Sequence, residues 1–101
     1  MIPQYDKLAH WLDSEGLDSV LVSRPENIRY FSGFQGSAGL LLVTKSKRQL
    51  FTDSRYITQA TAEAPDFCIC KCPGGLLMQE AAREIQRMGF AKIGFEGSFV
   101  T

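Results

Sequence analysis

The sequence predicts a single layered α/β domain built around a mixed β-sheet. Helical and strand patterns alternate along the 101 residues, which is typical of α/β folds and is the length of one domain. Two of the strands, 40–44 and 49–52, are separated only by the charged turn 45–48. A connection this short requires antiparallel pairing. The hairpin therefore makes an otherwise helix-connected sheet a mixed one.

The individual elements follow from apolar spacing and from the residues that begin and end them. Gly16 offers a stop for the first helix. Pro25 suits the first turn of the second helix, Ser23 and Glu26 form a capping box before it, and Gly33 ends it. In order, we predict a helix with apolar residues at 5, 8, 9 and 12, a strand at 20–22, a helix from 25 to Gly33, strands at 40–44 and 49–52, a helix capped by Asp53 that runs to about 64, a strand at 67–72, a helix with apolar residues at 77, 81, 85 and 88 that ends at Gly89, and a strand at 91–96.

Composition and charge exclude several classes of partner. Hydrophobic residues make up 45% of the chain and charged residues 22%, so a core can form. Eleven basic and eleven acidic residues cancel, so no strong field attracts nucleic acid or an anionic membrane. The longest apolar run, 40–43, is far shorter than the roughly 20 residues that cross a bilayer. The first residues lack a signal-peptide pattern. We therefore expect a cytoplasmic protein with neither a nucleic-acid nor a membrane partner.

Three cysteines occupy alternate positions, Cys68, Cys70 and Cys72. In a strand they share one face, with Cα atoms about 6.6 Å apart, so they cannot converge on one tetrahedral zinc ion. A metal site or a disulfide remains a minor alternative. The favoured interpretation is that they are small apolar side chains in a reducing compartment.

Few residues of the chain could carry hydrolytic chemistry. His10 is the single histidine, and it falls opposite the apolar stripe of the first helix, so it should face water. Ser37 and Ser54 lack the Gly-x-Ser-x-Gly elbow of a serine nucleophile. Asp53 and Glu96 are better explained as a helix cap and a strand end than as paired carboxylates. We therefore predict no catalytic and no metal-binding residue in this chain, although His10 as a metal ligand or base stays open.

The glycine-rich loop 33–39 is best explained as a plain connection whose glycines supply unusual φ angles, with contact to a ligand or partner as the alternative and nucleotide binding disfavoured. A helix precedes it and a strand follows, which is the reverse of a phosphate-binding loop. Phe34 has little local core to bury itself in, which favours packing across an interface. Arg55 and Tyr56 follow a strand, near the carboxyl edge of the sheet, where α/β folds gather ligand groups. The favoured interpretation is nevertheless structural, with Tyr56 in the core and Arg55 in a local ion pair.

Several segments of the chain follow one another in a family-specific order. They are GLD at 16–18 with 20–23, PENIRYFSGF at 25–34, GSAGLLLV at 36–43, FTDSRY at 51–56 with Gln59 and Ala60, and IGFEG at 93–97. Together they closely resemble the N-terminal domain of the creatinase/prolidase/aminopeptidase P family. The segments at 51–56 and 94–97 look most like its Xaa-Pro aminopeptidase and dipeptidase branch.

The resemblance implies a mixed sheet with helices on both faces, and it implies that catalysis lies in another domain. Members of the family cut peptides whose second residue is proline and use two divalent metal ions, often manganese or cobalt. The ligands, two Asp, one His and two Glu, belong to a C-terminal pita-bread domain. We therefore expect residues 1–101 to be the N-terminal domain, with a C-terminal helix and the whole catalytic domain absent from this chain.

The resemblance also implies partners and a contact loop. The family's N-terminal domain helps form a homodimer, and one of its loops helps to enclose the active site of the partner subunit. On this sequence the matching loop is Phe34, Gln35, Gly36, Ser37 and Ala38.

For Arg55 and Tyr56 the resemblance implies a structural or supporting role. The expected partners are the protein's own catalytic domain, a second subunit and proline-containing peptides. Two alternatives remain: a stand-alone binding module of the same fold, and a self-contained hydrolase that uses His10.

Overall fold

A computed structural model describes residues 4–89 and 92–95. The order of elements agrees with the order predicted from sequence. The elements are α1 (Gln4–Glu15), β1 (Ser19–Val22), α2 (Pro25–Ser32), β2 (Leu40–Thr44), β3 (Arg48–Thr52), α3 (Ile57–Glu63), β4 (Cys68–Lys71), α4 (Leu77–Met88) and β5 (Ile93–Phe95), with short 3-10 turns at Ser54–Tyr56 and Pro73–Gly75. The outer positions of the strand predicted at 91–96, including Glu96, lie outside the described residues.

The five strands form one mixed sheet in the order β4-β3-β2-β1-β5. Strand β2 is antiparallel to both of its neighbours, whereas β4 is parallel to β3 and β5 is parallel to β1. The hairpin predicted around the turn 45–48 is confirmed. Because β2 alone among these strands runs the other way, the carboxyl ends of the remaining four meet at one edge of the sheet.

Each face of the sheet carries its own apolar core. Successive residues of a strand point to opposite faces, so Val20 and Val22 of β1 contribute to one core and Leu21 to the other. Helices α1, α2 and α3 pack on the first face, through residues such as Leu12 and Phe31, and α4 packs on the second. The helices therefore lie on both faces, as the resemblance implied.

The predicted helix ends are correct at glycines and wrong at one N-cap. Gly16 and Gly33 both adopt the left-handed backbone conformation, with φ of 67° and 91°. Helix α2 begins with Pro25, and its N-cap is Arg24, whose side chain makes no capping hydrogen bond, so the N-cap predicted at Ser23 is wrong. The helix starts one residue later than that N-cap requires because proline favours the first helical position.

The three cysteines differ in exposure along and beyond β4. Cys68 is exposed, Cys70 is half-buried and Cys72, one residue beyond the strand, is buried, and all three are free thiols. Burial raises the pKa of Cys70 to about 11. His10 is exposed on α1, as predicted. No helix in the described part of the chain is both long and apolar enough to cross a membrane.

Candidate functional site

The carboxyl edge of the sheet collects the loops that sequence analysis singled out. Loop 33–39 enters β2 at this edge, residues 53–56 leave β3 there, and residues 72–76 leave β4 there. The sheet topology thus brings Phe34, Arg55 and Tyr56 into one region although they are far apart in sequence. In α/β folds this edge is the usual place for ligand and partner contacts.

The loop is built around the ring of Phe34, which is 1% exposed. The ring lies beneath its own backbone: a Cβ atom placed on Gly36 would stand 2.2 Å from the ring, and one on Gly39 would stand 3.0 Å from it. The ring also meets Tyr56 edge to face, with 6.1 Å between centroids. The prediction that Phe34 has little local core and packs across an interface is therefore wrong, because its ring is buried within this domain. Two glycines and a tyrosine from another segment form the socket that the loop sequence did not reveal.

Hydrogen bonds attach the loop backbone to the surrounding elements. The N–H of Phe34 donates to Ser32 Oγ over 3.1 Å. The N–H of Gln35 donates to Oε1 of Glu63, at the end of α3, over 2.8 Å. The carbonyl of Ala38 accepts from Thr52 Oγ1 over 2.5 Å. These three bonds fix both ends of the loop.

The outer part of the loop presents polar side chains. Gln35 and Ser37 are exposed, and the Ser37 hydroxyl lies 2.5 Å from the hydroxyl of Tyr56, where either group can donate. A polar surface on a fixed backbone is suited to recognising another molecule with little loss of conformational entropy. Among the five loop residues predicted as contacts, the structure therefore exposes Gln35 and Ser37 and uses Phe34 as an anchor.

Asp53, Arg55 and Tyr56 form a connected group at the end of β3. Asp53 accepts the Arg55 backbone N–H over 2.9 Å and its guanidinium Nη2 over 2.8 Å, so the predicted helix cap and the predicted local ion pair are both observed. The guanidinium carbon lies 5.1 Å from the centre of the Tyr56 ring. The hydrogen bond from Arg55 lowers the pKa of Asp53, and the same bond raises the pKa of Arg55. The Arg55 side chain remains 71% exposed.

An open groove of about 330 Å³ adjoins this group. Its lining residues are Asp53, Ser54, Arg55, Gly74 and Gly75. The two glycines adopt positive φ of 65° and 73°, which lets the chain turn sharply after β4. The groove offers one exposed cation, the Ser54 hydroxyl and backbone groups for contact with another molecule.

The described residues can be compared with the pattern of ligands that a metal ion needs. Within 4–89 and 92–95, no group of three or more His, Cys, Asp and Glu side chains could hold a metal ion. The raised pKa of Cys70 keeps that thiol protonated near neutrality. The exposed side chains of this surface offer hydrogen-bonding groups and one guanidinium.

Sequence reasoning missed Glu63 and Thr52, which hold the loop. The Glu63 carboxylate also accepts from Gln59 Nε2 over 3.1 Å. The four-residue spacing of Gln59 and Glu63 indicates a helical pair, but it carries no information that their partner is a loop 28 residues away.

The sequence profile of the creatinase/prolidase N-terminal domain family matches residues 4–101. The chain belongs to this family. This creatinase/prolidase N-terminal domain is 35% identical over 96 residues to the uncharacterized peptidase YqhT of Bacillus subtilis, a match covering 95% of the chain and 27% of the relative. It is 45% identical over 49 residues to Xaa-Pro aminopeptidase 2 of Mus musculus, covering 48% of the chain and 7% of that relative. The chain thus spans about a quarter or less of the length of these relatives.

Solved structures confirm the fold of this creatinase/prolidase N-terminal domain. The Xaa-Pro dipeptidase from Bacillus anthracis aligns with a TM-score of 0.84 and 33% identity, over 97% of this chain and 27% of that chain. The N-terminal domain of the cytoplasmic peptidase PepQ from Mycobacterium tuberculosis H37Rv aligns with a TM-score of 0.84 and 39% identity, over 97% of this chain and 75% of that one. The family and the mixed sheet with helices on both faces, both expected from sequence, are therefore confirmed.

Proposed function

We propose that this chain is the non-catalytic N-terminal domain of a metal-dependent Xaa-Pro aminopeptidase or dipeptidase. The observation that carries the proposal is the family match over residues 4–101, together with relatives that are named as Xaa-Pro peptidases and are more than three times as long as this chain. A domain occupying a quarter of such a protein leaves ample chain for a separate catalytic domain. The proposal places the peptidase reaction there.

The proposed metal site also lies in that catalytic domain. Two divalent ions of the manganese or cobalt type would polarise the scissile carbonyl and activate water there. The residues described in this chain do not fit such a site, because their His, Cys, Asp and Glu side chains form no suitable cluster. The part of this chain in the reaction is therefore confined to contacts.

The proposed role of the domain is to form a homodimer and to help enclose the active site of the partner subunit. The loop 34–38 supports this role, because its backbone is held at both ends while Gln35 and Ser37 face outward. Closing an active site with a preorganised loop excludes water and restricts the length of the peptide that fits. The expected location is the cytoplasm, where the PepQ relative is described.

The first test is the activity of the complete protein encoded by the parent reading frame. We expect it to cleave dipeptides or longer peptides with proline in second position, to leave the matched alanine peptides intact, and to lose activity with a chelator. A complete protein that folds but cleaves none of these peptides contradicts the peptidase proposal. Such a result would favour a stand-alone binding module of the same fold.

The second test addresses the loop. In the complete protein, Gln35→Ala should raise KM for the proline peptide or shift the dimer towards monomer in light scattering. Gln86→Ala is the matched control, because Gln86 is an exposed glutamine on α4, on the opposite face of the sheet. If both variants keep the kinetics and the mass of the parent, the loop has no such role.

A further inference from the structure

We propose that Tyr56 is a positioning residue for loop 34–38 and that its hydroxyl sets the geometry in which the loop presents Gln35. This inference rests on the proposed function of the loop, and it assigns to Tyr56 a role that acts through Ser37. The loop residues themselves make the contact. Tyr56 determines where they are when contact occurs.

The ring of Tyr56 is held in one orientation from two sides. One side meets Phe34 edge to face, with an interplanar angle of 82°. The guanidinium of Arg55 lies 5.1 Å from the ring centre, and Asp53 holds that guanidinium through both carboxylate oxygens. A ring fixed in this way places its hydroxyl at a defined point above the loop.

The hydroxyl of Tyr56 contacts the exposed, outer part of the loop. It lies 2.5 Å from Ser37 Oγ, on a residue 19 positions earlier in the chain. The preceding attachment, between the Gln35 N–H and Glu63, is 2.8 Å long. Between the two attachments lies Gly36, whose backbone rests on the buried Phe34 ring. Gln35 is thus presented from a segment that is fixed on both sides.

The Tyr56–Ser37 contact can be removed without disturbing the socket. The other attachments of the loop use backbone atoms or the buried ring, whereas this one joins two side-chain hydroxyls. Tyr56→Phe keeps the ring that packs on Phe34 and Arg55 and deletes only the hydroxyl. Ser37→Ala deletes the other partner from an exposed position. The two substitutions therefore test one interaction from both ends.

The experiment measures steady-state kinetics of the complete protein on a proline-containing peptide. A neutral hydrogen bond of this type is worth roughly a three- to tenfold change in an equilibrium. We expect Tyr56→Phe and Ser37→Ala each to raise KM by about that factor while kcat changes less than about twofold. The double variant should be no worse than either single variant, because both remove the same contact.

Tyr30→Phe is the matched control. Tyr30 is an exposed tyrosine on α2 whose hydroxyl accepts a hydrogen bond from Lys7 Nζ over 2.7 Å, so this variant also loses one surface phenol. Its KM should stay within about twofold of the parent. Thermal unfolding of all variants distinguishes a lost contact from a damaged fold.

The outcomes separate this inference from the function on which it rests. If Gln35→Ala raises KM but Tyr56→Phe does not, the loop role stands and the positioning role of Tyr56 is overturned. Effects of Tyr56→Phe and Ser37→Ala that multiply in the double variant also overturn it, because the two groups then act independently. If Gln35→Ala, Ser37→Ala and Tyr56→Phe all leave kinetics and oligomeric mass unchanged, the loop function itself fails.

Discussion

Replacing Phe34 by alanine tests whether the loop socket exists in solution. The ring is 1% exposed, so almost all of its surface is removed from water on folding. A buried phenylalanine removes roughly 150–250 Å², which at about 25 cal/mol per Å² corresponds to about 4–6 kcal/mol. Measured Phe→Ala truncations in protein cores cost about 3–5 kcal/mol. We therefore expect Phe34→Ala to lower the free energy of unfolding by about 4 kcal/mol.

The assay is urea unfolding of the 101-residue chain, followed by the fluorescence of Trp11. Trp11 is the single tryptophan and packs against the first core, so its emission reports the transition. A loss of about 4 kcal/mol is a large part of the roughly 5–15 kcal/mol that holds such a domain together. It should lower the melting temperature by about 15–30 °C. The dependence of the free energy on urea should not change, because the same surface unfolds.

Two further variants sharpen the Phe34 experiment. Phe34→Leu keeps most of the apolar volume and should cost less than the alanine variant. Leu76→Ala removes a side chain that is half exposed, so it should change the free energy of unfolding by roughly 0.5 kcal/mol or less. If Phe34→Ala costs less than about 1 kcal/mol, the ring is not held beneath the loop in solution. The sequence interpretation of an aromatic available to a partner would then be right and the structural argument refuted.

Three other predictions follow from the backbone, the thiols and the charges of the domain. In urea unfolding, Gly33→Ala should lower the free energy of unfolding clearly more than Gly16→Ala. Both glycines have a positive φ, so alanine is strained at either position. A Cβ atom at 33 would in addition stand 2.6 Å from a backbone carbonyl oxygen of α3, whereas one at 16 meets nothing within 4 Å. In thiol labelling of the native chain at pH 8, the exposed Cys68 should react before Cys70. The pKa of Cys70 is about 11, so only about one Cys70 side chain in a thousand is a thiolate at that pH. Equal labelling rates for the two cysteines would contradict this prediction. Asp53 has a lowered pKa in the folded state, so its ion pair stabilises the fold above the unfolded carboxyl pKa of about 3.9 and the contribution disappears as the pH falls through the folded pKa. Asp53→Asn should therefore lower stability at pH 7 and make the acid side of the stability curve shallower, and a curve parallel to that of the parent would show that the pair contributes nothing.

The features that sequence predicted correctly are those decided by neighbouring residues. A four-residue charged turn between two apolar runs allows only antiparallel pairing of the two strands, and β2 and β3 pair in this way. Glycines at 16 and 33 end their helices because few other residues adopt positive φ. Asp53 caps the turn after β3 through a carboxylate two residues from its donor. In each case the physical cause lies within a few residues of the feature.

The features that sequence did not predict depend on contacts between distant segments. The ring of Phe34 is buried because the backbone of Gly36 packs on its face and Tyr56 packs against it edge to face. The residue pattern around position 34 indicates neither contact. The anchoring of the loop by Glu63 joins positions 28 residues apart. The N-cap predicted at Ser23 is wrong for a local reason, because the proline at the first helical position places the N-cap at Arg24.

The position of β1 within the sheet has a consequence for how the domain acquires its fold. This strand is buried along its whole length, and it pairs on one side with β2, about 20 residues later in the chain. On its other side it pairs with β5. Next to that pairing, the Lys92 N–H donates a hydrogen bond to the carboxylate of Asp18, 74 residues earlier. Pairings over so long a stretch of chain slow folding, because the entropy of closing the intervening loop is lost before the contact forms. During synthesis the chain must be made as far as Phe95 before β1 gains its second neighbour. Until then one apolar strand edge stays open, and that edge is where a nascent copy of this domain is most exposed to pairing with the wrong strand.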